Sequence, residues 1–88
     1  MNHIQVYSTT QCPWCVRAKS LLQAEGLDYE EFDVSADQNR LFEMIERSGR
    51  RTVPQIFIDD VAIGGFDELS QLNLSELKAK LRANDDQR

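Results

Sequence analysis

Cysteine, histidine and proline are scarce in this chain, whose 88 residues include two cysteines, one histidine and two prolines. Small secreted domains held together by disulfides usually carry roughly four to eight cysteines. A structural zinc ion is bound tetrahedrally, and Cys12, Cys15 and His3 leave such a site incomplete. The composition therefore argues against a disulfide scaffold, and we expect no metal site.

Hydropathy and charge exclude two further classes of partner. A membrane-spanning helix needs about 20 consecutive apolar residues, and the apolar segments here are far shorter. Asp and Glu number 15 against 10 Lys and Arg, which gives a formal net charge of −5. Binding to nucleic-acid phosphates calls for a basic surface. We therefore expect neither a membrane nor a nucleic acid among the partners.

The length and the N-terminal sequence indicate a small intracellular protein. A chain of 88 residues fits one domain, so residues 1–88 are predicted to form a single domain. The first residues, MNHIQVYS, lack the basic-then-apolar pattern of a secretory signal. We expect a cytoplasmic protein, and nothing in the sequence requires more than a monomer.

The hydrophobic periodicity alternates between two and 3.6 residues, which predicts an α/β chain with the order βαβαββα. A strand, a helix of roughly 13 residues and a second strand form a βαβ unit, which favours parallel strands. Asp59 and Asp60 form a plausible turn between the last two strands. The predicted strands are His3–Ser8, Tyr29–Val34, Pro54–Ile58 and Val61–Ile63.

Three helical segments separate or follow these strands. The first runs from Pro13 to about Glu25 and stops at Gly26, and a capping box of Ser35 and Gln38 opens the second, which ends at Gly49. The third follows the glycine pair at 64–65 and is predicted either as one helix or as two shorter pieces. Its two apolar stripes are Leu69 with Leu72, and Leu74 with Leu77 and Leu81, and Asn73 with Glu76 is the predicted cap between them.

Cys12 and Cys15 are spaced for chemistry rather than for stability. A disulfide between them closes so short a loop that it adds little stability. Pro13 suits the first position of a helix because proline has no N–H to donate. The sulfur of Cys12 therefore meets free N–H groups and the positive end of the helix dipole, which favour the reactive thiolate. Since Cys15 lies one turn further in, Cys12 is predicted to attack and Cys15 to resolve a mixed disulfide.

Two other motifs can present backbone groups to a ligand. In T-V-P at 52–54, the proline that opens a strand indicates a sheet edge or a cis peptide bond. A cis bond would turn the N–H and C=O of Val53 outward, where an extended peptide can pair with them. In G-G-F-D at 64–67, the helix-start N–H groups suit a carboxylate. The alternatives are an ordinary strand-opening proline and a simple glycine turn.

Trp14, between the two cysteines, is open to two interpretations of equal weight. It either lines a reactive site at the exposed start of the helix or anchors the core. The cysteine pair itself also has an alternative interpretation as half of a metal site, which the absence of further cysteines disfavours.

Taken together, C-P-W-C at 12–15, T-V-P at 52–54 and G-G-F-D at 64–67 resemble the glutaredoxin family, most closely its dithiol, bacterial-type members. The resemblance extends over nearly the whole chain and includes A-K at 18–19 and R-S-G-R at 47–50. It implies a thioredoxin-like α/β fold with a four-stranded mixed sheet flanked by helices. That fold agrees with the order predicted from periodicity.

The resemblance implies an enzyme, a glutathione-dependent thiol–disulfide oxidoreductase that reduces protein disulfides and glutathione mixed disulfides. Glutathione would be the reducing cosubstrate, with no cofactor bound permanently, and disulfide-containing or glutathionylated proteins would be the partners. The implied catalytic residues are Cys12 and Cys15. The implied glutathione-binding residues are Cys12, Pro13, Trp14, Arg40, Thr52, Val53, Pro54, Gly65, Phe66 and Asp67.

By the same resemblance, the cysteinyl part of glutathione lies antiparallel to Val53. Its γ-glutamyl carboxylate meets the N–H groups of Phe66 and Asp67, and the Asp67 carboxylate takes the ammonium group. The glycyl carboxylate needs a cation, for which Arg40 in the second helix is the first candidate.

One position departs from the family pattern. Many members carry Lys or Arg three residues before the first cysteine, where this chain has Thr9. A cation at that point both favours thiolate and attracts the glycyl carboxylate. Without it, stabilising the thiolate and binding the glycyl carboxylate fall to the helix end and to Arg40, Arg50 or Arg51.

Two rival functions remain open at this stage. A thioredoxin-like reductant fed by a flavoprotein reductase is disfavoured by the C-P-W-C and G-G-F-D motifs. A carrier of a [2Fe–2S] cluster bridged between two subunits is disfavoured by Pro13, because such members usually have Gly or Ser beside the nucleophilic cysteine.

Overall fold

The computed structural model describes residues 3–72. These residues form strands and helices in the predicted order, βαβαββα. The strands are β1 (Ile4–Ser8), β2 (Glu30–Asp33), β3 (Gln55–Ile58) and β4 (Val61–Gly64). The helices are α1 (Pro13–Ala24), α2 (Gln38–Ser48) and α3 (Phe66–Ser70).

The four strands form one mixed sheet in the order β2-β1-β3-β4. Strand β1 is parallel to β2 and antiparallel to β3, and β3 is antiparallel to β4. The turn between β3 and β4 places Asp59 and Asp60 at φ 51° and 68°, the left-handed region that a two-residue hairpin turn requires. The predicted four-stranded mixed sheet is thereby confirmed.

Both faces of this sheet are covered. Successive side chains of β1 and β3 point to opposite sides, so each face carries its own buried cluster. One buried cluster lies on the side of α1 and α3, and it consists of Ile4, Val6, Ala18, Leu22, Leu27, Ile56, Ile58 and Leu69. The other lies on the side of α2, and it consists of Tyr7, Val34, Met44 and Phe57. Helices on both faces leave the ends of the strands as the accessible edges of the sheet.

The strand directions bring three separate segments to one edge. Tyr7, near the end of β1, pairs with Gln55 at the start of β3, and Ile56 pairs with Gly64 at the end of β4. The loop that carries Cys12, the segment before β3 and the segment after β4 therefore meet at this edge. The fold places the C-P-W-C, T-V-P and G-G-F-D motifs side by side.

The start of α2 differs from the prediction. Asp37, and not Ser35, caps this helix, and its carboxylate accepts the N–H groups of Asn39 and Arg40. Ser35 is engaged elsewhere, since its N–H and hydroxyl both donate to the carboxylate of Asp33. The predicted capping box of Ser35 and Gln38 is therefore wrong.

The helix ends at Gly26 and Gly49 are confirmed, with both glycines at positive φ just after α1 and α2. The predicted stripe of Leu69 and Leu72 is wrong for Leu72. Helix α3 ends at Ser70, so Leu69 is buried whereas Leu72 remains exposed. The second stripe with Leu74, Leu77 and Leu81, and the cap formed by Asn73 and Glu76, lie outside the described residues.

None of the helices within residues 3–72 has the length and the apolar content that a membrane crossing requires.

Candidate functional site

Cys12 sits at the start of α1 and caps it. Its backbone is extended, with φ −121° and ψ 108°, and its sulfur accepts the N–H of Cys15 at 3.2 Å. Pro13 occupies the first turn, where its missing N–H leaves no donor unsatisfied. Both cysteines are free thiols. The sulfur of Cys12 therefore lies at the N-terminal end of the α1 dipole.

Cys15 is the opposite kind of thiol. Its side chain is completely buried, whereas Cys12 is half-buried. Burial, reinforced by the hydrogen bond with Cys12, raises the pKa of Cys15 to about 12, although the backbone of Thr9 opposes this. One thiol is accessible and the other is shielded and protonated, which is the asymmetry that the spacing predicts.

The peptide bond between Val53 and Pro54 is cis, the more specific of the two structures that the motif allowed. The Sγ of Cys12 lies 3.7 Å from the carbonyl oxygen of Val53, to which the thiol donates. The sequence predicts that this carbonyl turns outward, whereas the structure directs it at Cys12. The contact sets the Val53 backbone directly beside the accessible thiol.

A groove of about 350 Å³ opens at this edge of the sheet. It is bounded on one side by the segment before β3 and on the other by the start of α3, with Trp14 at the end nearest the thiols. Seven predicted glutathione-binding residues line it, together with Arg50, which the sequence offered only as an alternative cation, and Glu68, which was not predicted. The lining residues are Trp14, Arg50, Thr52, Val53, Pro54, Gly65, Phe66, Asp67 and Glu68.

Trp14 forms an exposed aromatic wall. Its ring centroid is 5.6 Å from that of Phe66, and the guanidinium of Arg17 lies 4.8 Å from it on the helix surface. Trp14 is 49% exposed, so the interpretation of this residue as a core anchor is wrong. The tilted rings of Trp14 and Phe66 together provide an apolar surface beside Cys12.

Neighbouring atoms approach the two glycines of the G-G-F-D motif so closely that a side chain at either position would meet them. Gly64 has φ +121°, and a Cβ there would lie 2.3 Å from Oε1 of Glu68. A Cβ on Gly65 would come within 3.3 Å of the carbonyl oxygen of Pro54. The N–H of Gly65 donates to Glu68 Oε1 at 2.7 Å, which closes the first turn of α3. The two walls of the groove therefore approach each other through backbone alone.

The charges in the groove come from Arg50, Asp67 and Glu68. Arg50 Nη1 lies 2.9 Å from Glu68 Oε1. The N–H of Gly65 and then Arg50 hold the pKa of Glu68 below its usual value. Gly65 and Glu68 are three residues apart, which is the spacing of a capping box. This signal could have identified Glu68 from the sequence.

The structure does not bring Arg40 into this groove. Its guanidinium stacks over the ring of Phe32 at 4.2 Å and pairs with Glu43 at 3.1 Å. Among the described residues that line the groove, Arg50 is the cation. It was only the second candidate from the sequence, because the position of a side chain on a helix does not reveal which cleft it faces.

An accessible thiol that caps a helix, a buried thiol one turn away and a cis-proline beside them define a thiol–disulfide oxidoreductase of the thioredoxin-like fold. Comparison with known proteins then identifies the family. The glutaredoxin family model matches residues 4–63, and glutaredoxin 3 of Escherichia coli K12 is 45% identical over 83% of this chain and 88% of its own length.

Solved structures agree with this comparison. The solution structure of a glutaredoxin from Brucella melitensis has a TM-score of 0.70 and 44% identity, over 92% of this chain and 85% of that one. The crystal structure of a buckwheat glutaredoxin–glutathione complex has a TM-score of 0.69 and 31% identity. This second match covers 76% of our chain, which spans 64% of the buckwheat chain.

The chain belongs to the glutaredoxin family. It is a glutathione-dependent disulfide oxidoreductase with a Cys-x-x-Cys pair, Cys12 and Cys15. The predicted family, fold class and type of activity are therefore confirmed.

Proposed function

We propose that Cys12 is the nucleophile and Cys15 the resolving thiol. The single observation that carries this assignment is the contrast between the two sulfurs, one half-buried at the helix start and one fully buried behind it. In the first step the Cys12 thiolate attacks a substrate disulfide, a mixed disulfide forms and the other substrate sulfur leaves. In the second step Cys15 attacks the Cys12 sulfur, which releases the bound thiol and leaves a Cys12–Cys15 disulfide for glutathione to reduce. Where the bound thiol is glutathione, a second glutathione can attack the bound glutathione sulfur instead, which releases the Cys12 thiolate and oxidised glutathione.

We propose that glutathione occupies the groove beside Cys12. The buckwheat relative was crystallised as a glutathione complex, and the lining of our groove offers groups that complement that tripeptide. The Val53 backbone is the partner for the cysteinyl part, and the N–H groups of Phe66 and Asp67 are partners for the γ-glutamyl carboxylate. The Asp67 carboxylate is the partner for the ammonium group.

For the glycyl carboxylate, the position of Arg50 in the groove wall favours it over Arg40 as the partner cation. Arg40 stays a prediction from the sequence. The remaining glutathione contacts that we propose are those of Cys12, Pro13, Trp14, Thr52, Pro54 and Gly65.

The wider setting of the enzyme is also part of the proposal. Disulfide-containing and glutathionylated proteins are its partners, and it acts as a monomer of one domain over residues 1–88 with no permanently bound cofactor. We place the enzyme in the cytoplasm, because a catalytic disulfide that cycles with glutathione suits a reducing compartment. Its similarity to bacterial glutaredoxins supports the same location.

The test is an assay with 2-hydroxyethyl disulfide or a glutathionylated peptide, coupled to glutathione reductase and NADPH oxidation. We expect activity in the wild type, none above background in Cys12→Ser, and partial activity with the glutathionylated peptide in Cys15→Ser. Equal activity of Cys12→Ser and the wild type would refute the assignment. Activity that is supported by thioredoxin reductase and not by glutathione would refute the glutathione site.

A further inference from the structure

The buried thiol Cys15 has a charged residue one helical turn beyond it. Cys15 and Lys19 are four residues apart in α1, a spacing that puts both on the same face of the helix. Lys19 Nζ lies 2.7 Å from Glu31 Oε2 on β2. The same carboxylate oxygen accepts the hydroxyl of Ser8, at the end of β1, at 2.7 Å. We call Lys19, Glu31 and Ser8 the Lys19 cluster.

The sheet register places this cluster between α1 and the sheet. Val6 is buried in the core cluster that includes Ala18 of α1, so its side chain faces that helix. Glu31 is the parallel partner of Val6, and neighbouring residues of paired strands point to the same side. Ser8, two residues after Val6, also points there. The Lys19 cluster therefore shares with Cys15 the space under α1.

The positive charge of Lys19 acts on the thiol. Burial is the main cause of the raised pKa of Cys15, and the ammonium of Lys19 acts in the opposite direction. The hydrogen bond with Glu31 raises the pKa of Lys19, and the anionic form of Cys15 raises it further. Lys19 is therefore a cation at neutral pH, held by Glu31 one helical turn from a thiol whose anion it favours.

We propose that Lys19, held by Glu31, is a positioning residue for the resolving step, in which it stabilises the thiolate that Cys15 must become before it attacks Cys12. This proposal rests on the roles assigned above to the two cysteines. Lys19 does not take the proton itself. It acts by placing a fixed positive charge near a sulfur that is otherwise shielded from water.

The resolving step balances without an external oxidant. The Cys15 thiol gives up its proton, and its Sγ attacks the Cys12 sulfur of the mixed disulfide between Cys12 and a partner thiol. The bond between Cys12 and the partner sulfur breaks as the bond between Cys12 and Cys15 forms. The departing thiolate takes a proton and leaves as a thiol.

The test measures the lifetime of a mixed disulfide on Cys12. Reduced protein is mixed with 2-hydroxyethyl disulfide, samples are quenched in acid, and mass spectrometry counts the Cys12 adduct and the internal disulfide. This probe contains no glutathione, so the result is independent of whether the groove binds glutathione.

Lys19→Met is expected to lengthen the adduct lifetime about threefold at pH 7. Loss of the cation raises the pKa of Cys15 further, so less of the thiol is ionised, and the greater nucleophilicity of a more basic thiolate recovers only part of this loss. The pH profile of resolution should move toward higher pH. Lys19→Arg keeps the charge and should stay within about twofold of the wild type. Lys19→Gln, a second neutral variant, should behave like Lys19→Met.

Several titratable groups around Cys15 and Lys19 influence this pH profile. Cys12 and Lys19 interact electrostatically with Cys15, Glu31 and Tyr29 do so with Lys19, and Asp33 does so with Glu31. Cys15→Ser provides the background control, since resolution is impossible there. In that background Lys19→Met should leave the rate of adduct formation by Cys12 unchanged.

Three outcomes would overturn the proposal. The first is an adduct lifetime in Lys19→Met and Lys19→Gln equal to that of the wild type. The second is the same slowing in Lys19→Arg as in the neutral variants, because packing and not charge would then be responsible. The third is slower adduct formation by Cys12 when Lys19→Met is added to Cys15→Ser.

Discussion

Arg50 Nη1 lies 2.9 Å from Glu68 Oε1, and this one oxygen also accepts the N–H of Gly65 at 2.7 Å. The carboxylate thus connects the segment before β3 to the first turn of α3, which form opposite sides of the groove. The two side chains are 55% and 41% exposed, so their ion pair is weak in itself. Arg50 can therefore exchange the carboxylate of Glu68 for that of a ligand at little cost.

If Arg50 holds the glycyl carboxylate, Arg50→Met should raise the KM for a glutathionylated peptide about two- to fivefold, with kcat little changed. This range corresponds to roughly 0.4–1 kcal/mol, within the roughly 0.2–1 kcal/mol typical of an exposed ion pair. The matched control is Arg40→Met, which removes an equal charge from α2 and should change KM by less than about 1.5-fold. A larger effect for Arg40→Met than for Arg50→Met would restore the assignment made from the sequence.

Trp14 is expected to contribute to binding more than to stability, because half of its surface is exposed and its main ring contact is Phe66. Trp14→Ala should raise the KM about two- to tenfold, in line with roughly 0.5–1.5 kcal/mol for an aromatic pair. Trp14→Tyr should recover most of this loss. Urea denaturation is the companion measurement. If Trp14→Ala lowers the free energy of unfolding as a core truncation does, by roughly 3–5 kcal/mol, our description of this wall is wrong.

Gly64→Ala should destabilise the protein by roughly 1–3 kcal/mol and weaken glutathione binding. The new Cβ would meet Oε1 of Glu68 at 2.3 Å, so the carboxylate must leave the N–H of Gly65 and Arg50. Gly49→Ala is the control, since Gly49 also has positive φ but has nothing within 4 Å of the added carbon. Gly49→Ala should cost about 1 kcal/mol and leave the KM unchanged. Equal effects of the two substitutions on KM would contradict this account.

Stability is expected to fall as the pH drops below about 4.5. The hydrogen bond with Lys19, and then that with Ser8, hold the pKa of Glu31 below its usual value of 4.5. A carboxyl whose pKa is lower in the folded state stabilises that state above its unfolded pKa, and the contribution disappears as the pH falls through the folded value. The urea midpoints of the wild type and Glu31→Gln should therefore converge between pH 7 and pH 3. A constant difference over that range would count against this linkage.

The redox core of the site could be predicted from local sequence, whereas its charged contacts could not. The position of Cys12 at a helix start and of Cys15 one turn later follows from their spacing and from Pro13. Which arginine reaches the groove depends on tertiary packing, because Arg40 is held by the ring of Phe32 on another element. No pattern along the chain reveals that contact.

The same distinction applies to the fold. Periodicity predicted the order of the elements because each strand and helix has its own repeating apolar pattern. The cap of α2 was predicted wrongly because Ser35 and Asp37 are both good capping residues, and the hydrogen bonds from Ser35 to Asp33 decide between them. Competition of this kind is settled by neighbours that the capping rule does not consider.

The double role of Cys12, whose sulfur both reacts and caps α1, links a helix end to an electrochemical property. The thiolate form in which this sulfur attacks accepts the Cys15 N–H strongly, whereas in a disulfide the sulfur is neutral and accepts more weakly. Selective stabilisation of the reduced form raises the reduction potential and makes a dithiol protein more oxidising. Substitutions that strengthen the positive end of α1 should therefore shift the protein toward oxidising its partners, and substitutions that weaken that end should shift it toward reducing them.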